Sequence, residues 1–215
     1  ITHRIAAFVR EQLFPRVHVW IDLHAGGRVA QFIPATSYHP IEDPVQAREI
    51  EEAARWFGTP LVVIYQNRTP GLLPSEAERL GKIMIGGEFG FGEAVNPAGV
   101  RFARHGILAA AIHHGQLSGS IEKFAHHADG TQRIVEMVDP ACFVQAPWPG
   151  HYEPLLACGA RVKKGDTLGW LHDFQRIDDE PFPVRAQLDG IVTAQAWQAS
   201  VRAGQTVLVV ARVLG

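Results

Sequence analysis

The chain changes its pattern near Asp139, and that change limits the fold more than any other feature. From Ile1 to about Val135, stretches with apolar residues at helical spacing alternate with short apolar runs of strand length, as in a sheet covered by helices. From about Asp139 onward the helix signals stop, and the segment repeats itself at an offset of 39 to 40 residues. Val144-Gln-Ala-Pro-Trp-Pro-Gly150 matches Val184-Arg-Ala-Gln-Leu-Asp-Gly190, and Val162-Lys-Lys-Gly-Asp-Thr-Leu168 matches Val201-Arg-Ala-Gly-Gln-Thr-Val207. Each copy reads as an apolar strand, a glycine turn and a strand entered through a Lys/Arg-x-Gly turn. Two four-strand copies can close a flattened β sandwich. The expected architecture is α/β, a sheet covered by helices over residues 1–138, followed by an all-β unit over residues 139–215.

Three helices are punctuated. Thr2 is a candidate cap for the first, whose stripe of Ile5, Phe8, Val9 and Leu13 precedes Pro15. Asp43-Pro44 opens the second, with Gln46 at the capping-box position, Ile50, Ala53 and Phe57 on its stripe and Gly58 at its end. Asn96-Pro97 opens the third, whose stripe is read as Val100, Ile107, Ala111 and Ile112, closed by Gly115. Expected strands are Val17–Leu23, Gln31–Ala35, Leu61–Tyr65 and Lys82–Phe89.

Composition removes several function classes. Lys plus Arg number 20 against 22 Asp plus Glu, a formal charge of −2, so there is no broad positive field for nucleic acid. The longest apolar runs, Ile107–Ile112 and Val207–Ala211, fall short of the roughly 20 residues of a membrane-spanning helix. Cys142 and Cys158 fit neither a disulfide framework nor a C-x-x-C site, and a cytoplasmic home is expected. Gly81-Lys82 is followed by Ile83, and Gly90-Phe-Gly92 lacks a third glycine, so no nucleotide loop is indicated. A G-x-S-x-G nucleophile elbow is also missing.

Two segments carry chemistry. In Val17-His-Val-Trp-Ile-Asp-Leu-His24, strand alternation puts Asp22 and His24 on one face and His24 at the strand's carboxyl end, before the small loop Ala25-Gly26-Gly27. A neutral imidazole there is a good zinc ligand, and Asp22 is placed to orient it. In Ile83-Met-Ile-Gly-Gly-Glu-Phe-Gly-Phe-Gly92, Glu88 ends an apolar strand among glycines that let a substrate approach. A carboxylate there could take a proton from a zinc-activated water. Each residue alone also has a plainer reading, an incidental strand-end histidine and a solvated loop carboxylate. Glu93, just before the Asn96 cap, is expected to face solvent.

The order helix, Ile21-Asp22-Leu23-His24-Ala25-Gly26-Gly27, then Gly87-Glu88-Phe89-Gly90 before a helix, then a β unit, resembles the succinylglutamate desuccinylase/aspartoacylase family, relatives of the zinc carboxypeptidases. It is most similar to the N-acetyl-diaminobutyrate deacetylase branch. The resemblance implies a zinc-carboxypeptidase-like mixed sheet, Zn2+ as cofactor, a small N-acyl amino acid as substrate, His24 as the third zinc ligand and Glu88 as the catalytic glutamate. It also implies an H-x-x-E pair of ligands and an Asn-Arg segment for the substrate carboxylate, both expected upstream of Ile1. The repeated β unit resembles the barrel-sandwich fold of biotinyl and lipoyl carriers. Its central stretch, Asp173-Phe-Gln-Arg-Ile-Asp-Asp-Glu180, holds no carrier lysine, and Lys163 and Lys164 precede a different turn. A structural or site-covering role is expected instead.

The rival class is a non-catalytic binding module that has lost its metal. Nucleic acid and membrane are not expected as partners; a homo-oligomer is compatible with the pattern. The other polar candidates have bland readings. His113-His114 sits at a helix end where a cation favours the dipole, and His126-His127 lies in a polar loop. His39 is a candidate for the same cleft as His24. Arg79 and Lys82 are candidates to neutralise a substrate carboxylate, or residues of a solvated helix face.

Overall fold

A computed structural model of the chain describes residues 1–66, 69–121 and 132–214. Its first part runs α1 (Thr2–Phe8), which passes into a π turn at Val9–Leu13, then β1 (Val19–His24), β2 (Ala30–Phe32), β3 (Ala35–Tyr38), α2 (Pro44–Trp56), β4 (Leu61–Tyr65), α3 (Leu73–Arg79), β5 (Ile83–Glu88), α4 (Pro97–His113) and β6 (Arg133–Met137). A 3-10 turn at Pro140–Cys142 leads to β7 (Phe143–Gln145), β8 (Gly150–Pro154), β9 (Arg161–Val162), β10 (Thr167–His172), β11 (Phe182–Arg185), β12 (Gly190–Ala196), β13 (Ser200–Val201) and β14 (Thr206–Leu214).

One long sheet runs β1-β5-β3-β4-β6-β14-β12-β2, with β7 on β14 and β9 on β12; a second runs β11-β10-β8-β13. The pairs β1–β5, β3–β4 and β4–β6 are parallel, while β3–β5, β6–β14 and β12–β2 are antiparallel. The fold is therefore a mixed α/β sheet with a second antiparallel sheet, as the family resemblance implies. The two repeat copies are β7–β10 and β11–β14, and they exchange edges. The β8–β10 pair of the first copy is flanked by β11 and β13 of the second, and the β12–β14 pair is flanked by β7 and β9. Neither copy completes a sheet alone, so their inward residues form one core, including Val144, Tyr152, Leu168, Val184, Val192 and Leu208. The end of β14 leaves the sandwich, and Arg212, Val213 and Leu214 pair with Glu136, Val135 and Ile134 of β6.

Helices cover both faces of the first part. α2 and α4 pack Ile50, Ala53, Phe57, Phe102 and Ala109 against Val62, Ile83 and Ile85 on one side. Phe14 and Ala77 meet Met84 and Trp20 on the other. The α2 stripe stands as expected, with Ile50, Ala53 and Phe57 fully buried. The α4 stripe does not: Val100 and Ile107 are exposed, and the buried face is Gly99, Phe102, Gly106, Ala109 and Ala110. The cause is close approach. A Cβ at Gly99 would lie 1.7 Å from the Phe89 carbonyl oxygen, and one at Gly106 would lie 2.2 Å from the Phe57 ring. Glycines face the neighbours because nothing larger fits.

Caps follow the sequence at two of three starts. The Asp43 carboxylate accepts from the amides of Val45 and Gln46 at 2.9 and 2.8 Å, and the Asn96 side chain accepts from Gly99 N at 3.0 Å. Thr2 is instead the first helical residue, with Ile1 at the cap and no side-chain bond. Ile5 and Phe8 of α1 are exposed, in contrast to the stripe expected for them. Gln46 forms no capping box. Its side chain donates to the carbonyls of Glu78 and Lys82 at 2.9 and 3.0 Å, tying α2 to the α3–β5 connection. The expected strand over Gln31–Ala35 divides into β2 and β3 around Ile33-Pro34, since proline has no ladder donor. Among the described residues no helix is long and apolar enough to cross a membrane.

Candidate active site

Parallel pairing of β1 and β5 places Asp22 opposite Gly86 and His24 opposite Glu88. Antiparallel pairing of β5 and β3 then sets Ala35 beside Glu88 and Ser37 beside Gly86. Because side chains alternate along a strand, these residues share one face, the face away from α2 and α4. They line a cavity of about 510 Å³, closed by Phe32, Ile33, Tyr65, Met137 and Thr193. Gly87 of β5 is a steric requirement: a Cβ there would lie 2.8 Å from the Ala35 carbonyl oxygen and closer still to the Phe89 ring. The repeat part contributes Thr193 directly, and its strand β12 pairs with β2, fixing Phe32 opposite Ala194.

Within the cavity the ionisable groups are arranged by type. His24 Nε2 lies 2.9 Å from Asp22 Oδ2, with the imidazole 58% exposed and the carboxylate 25%. The bond to Asp22 raises the His24 pKa, partial burial opposes it, and the charges of Asp22 and Glu88 add to the rise. With Nε2 as the donor toward Asp22, the neutral ring keeps its lone pair on Nδ1. Burial pushes the Glu88 carboxyl above the usual carboxylate range; His24 opposes this and Asp22 adds to it. Glu88 Oε2 is buried and has no hydrogen-bond partner among the described residues. An orphaned carboxylate oxygen is costly in a packed site unless it serves a bound proton, water or ligand. Burial raises the Tyr65 phenol to about 12, with Glu78, Asp22 and Glu88 adding to the shift, so Tyr65 enters the cavity as a neutral hydroxyl.

The other candidates lie apart. His39 sits behind the cavity wall, with Nδ1 2.8 and 2.9 Å from the two carboxylate oxygens of Glu78, both side chains buried, and its ring 4.2 Å from that of Tyr65. The tetrad His39-Pro-Ile-Glu42 spells H-x-x-E, but His39 is committed to Glu78 and Glu42 is exposed, so it is no ligand pair. Arg79 pairs with Glu76 at 2.8 Å on the exposed side of α3, and neither it nor Lys82 lines the cavity. Glu93 is exposed and pairs with Arg28. His113 stacks on Trp56 with ring centroids 4.3 Å apart at the end of α4, in keeping with a surface role. His126 and His127 lie outside the described residues. Sequence reasoning missed Tyr65 and Thr193, because nothing in a lone aromatic or threonine marks the face it will line. A second, apolar groove of about 810 Å³ shares Phe32, Tyr65 and Met137 with the cavity and, among the described residues, carries no carboxylate, imidazole or amine.

A histidine oriented by a carboxylate, opposite a desolvated glutamate at the carboxyl ends of two parallel strands, is a hydrolase-like constellation on an α/β sheet. The chain belongs to the succinylglutamate desuccinylase/aspartoacylase family, whose catalytic-domain model matches residues 1–114. It is 31% identical over 215 residues to the N-alpha-acetyl-L-2,4-diaminobutyric acid deacetylase of Halomonas elongata, covering 100% of this chain and 62% of that protein. Among solved structures, the product-bound ectoine utilization protein EutE (DoeB) from Ruegeria pomeroyi superposes with a TM-score of 0.90 at 26% identity, over 99% of this chain and 63% of that one. A succinylglutamate desuccinylase/aspartoacylase from Rhodobacter sphaeroides gives a TM-score of 0.90 at 30% identity, again over 99% and 63%. The chain thus spans somewhat under two thirds of the length of these relatives.

Proposed function

We propose that this chain forms part of the active site of a zinc-dependent deacylase that hydrolyses the amide bond of a small N-acyl amino acid, with N-acetyl-diaminobutyrate as the first substrate to test. The reading is supported by the family membership and by the activity named for the Halomonas elongata relative. The observation that carries it is the pairing of His24 with Glu88 across β1 and β5, with Asp22 on the first and an unpartnered oxygen on the second.

The residues fit one vertex of a zinc site. His24 would be one ligand and Asp22 would hold its ring; no group of three or more His, Cys, Asp or Glu able to hold a metal occurs among the described residues. Zinc bound there would make water easier to ionise and polarise the amide carbonyl. The chain's own chemistry centres on Glu88. Its carboxylate takes a proton from the attacking water as the water oxygen bonds to the amide carbon. The same proton passes to the leaving nitrogen as the C–N bond breaks, giving a carboxylic acid and a free amine. Burial favours this relay because it brings the carboxyl pKa closer to neutrality. Phe32, Met137 and Tyr65 line the cavity around these groups.

Glu88→Gln keeps the shape and removes the proton acceptor. The expected result is unchanged zinc content with kcat lower by at least about 100-fold, the range for loss of a general acid–base. Undiminished turnover refutes the assignment.

A further inference from the structure

Beyond His24 and Glu88 themselves, the loops that follow them are bonded to each other. Phe89 N donates to His24 O at 2.9 Å, Gly26 N to Gly90 O at 2.9 Å and Gly92 N to Gly27 O at 2.7 Å. These three bonds carry the β1–β5 ladder past the ends of the strands. The pair of loops is glycine-rich, and besides these bonds it shares the Arg28–Glu93 ion pair.

One side chain from the repeat part closes over it. Trp197 sits on the turn between β12 and β13, and its backbone amide donates to Val29 O at 3.1 Å, in the segment after His24. Its ring meets Phe91, in the segment after Glu88, with centroids 5.0 Å apart and planes inclined by 48°. The ring also rests against Gly92: a Cβ there would lie 2.9 Å from the indole, and the φ of +69° already disfavours any other residue. Trp197 therefore touches both loops, one through its backbone and the other through its ring. It is 46% exposed and lines neither cavity. A large half-exposed aromatic on the connection between β12 and β13 is poorly explained by core packing, whereas its two contacts converge on the loops that carry the site.

The geometry points to Trp197 as a positioning residue, a latch on the β12–β13 turn that holds together the two loops leaving His24 and Glu88. This rests on the functional reading only for its effect on turnover; the latch itself is a statement about the loops. Small displacements of reacting groups are expensive, so a loosened loop pair costs rate without removing any reacting atom.

The test compares the unmutated natural protein with Trp197→Ala and Trp197→Phe by segment-resolved hydrogen exchange, alongside kcat and KM for N-acyl amino acid hydrolysis. In the alanine variant, exchange at the Gly26 and Gly92 amides is expected to accelerate about tenfold, the size of one lost aromatic contact, while the β10 and β14 amides stay as they were. The same variant loses about tenfold in kcat with KM changed by less than about twofold, and phenylalanine recovers most of both effects. Unchanged exchange at both glycines overturns the latch, as does acceleration across the whole protein with a lowered Tm, which is a structural role. Local acceleration with full kcat overturns the positioning role. If the unmutated protein hydrolyses no N-acyl amino acid, the functional reading has failed, and the exchange result alone still decides the latch.

Discussion

Replacing Asp22 with alanine removes the acceptor that lies 2.9 Å from His24 Nε2 and leaves the imidazole to turn. A hydrogen bond to a charged group is worth about 1.5–3 kcal/mol when desolvated. Here the two side chains are 58% and 25% exposed, so solvent screens the pair and the lower end applies. About 1.4 kcal/mol corresponds to a tenfold loss in zinc affinity, at the bottom of the range of about 10–100-fold seen when a ligating histidine loses its partner. Competition for zinc between the protein and a coloured chelator near neutral pH reads this directly. Asp22→Asn, which keeps an acceptor at the same distance but removes the charge, should fall between the two. An alanine variant that holds zinc as tightly as the unmutated protein would show that Asp22 does not orient His24.

Gly106→Ala is normally a stabilising change in a helix, by about 1 kcal/mol. Here the new methyl meets the fully buried Phe57 ring, and overpacking at about 1–3 kcal/mol outweighs the gain, so Tm should fall by a few degrees; a rise would refute the packing account. Alkaline stability is set by neutral groups. Burial raises the Cys158 thiol from 9.0 to about 11, and the Tyr38 and Tyr65 phenols from 10.0 to about 12. The unfolded chain ionises these groups first, so their contribution is complete below about pH 9 and is lost as pH rises through 11 to 12. Urea midpoints across that window should decline, and a flat profile would contradict the burial of these groups. In the same window Cys158 should react with a thiol reagent far more slowly in the folded protein than in urea.

Much of the site was legible because it obeys strand alternation. A period of two puts Asp22 and His24 on one face whatever the neighbours are, and the apolar run before Glu88 does the same for that residue. The repeat was legible for a similar reason, since Val144, Gly150, Val162 and Leu168 reappear as Val184, Gly190, Val201 and Val207 at equivalent strand positions. Pairing was not. Edge exchange between the copies, the passage of β14 onto β6 and the seating of β12 against β2 depend on contacts far apart in sequence, which no local pattern encodes. The α4 face was misread because the stripe was drawn through apolar side chains, whereas the contact is made by Gly99 and Gly106, whose value lies in having none. Gln46 shows the same limit: its position suits a capping box, but two carbonyls of the α3–β5 connection are within reach and take its amide instead.

Zinc content of the purified natural protein, set beside a His24→Ala variant prepared identically, tests the central claim most directly. The account predicts close to one zinc per chain in the first and its loss in the second, with both proteins folded. Retention of zinc by the variant, or failure of the unmutated protein to take up zinc when it is supplied, would contradict His24 as a ligand and leave the non-catalytic binding reading as the better one.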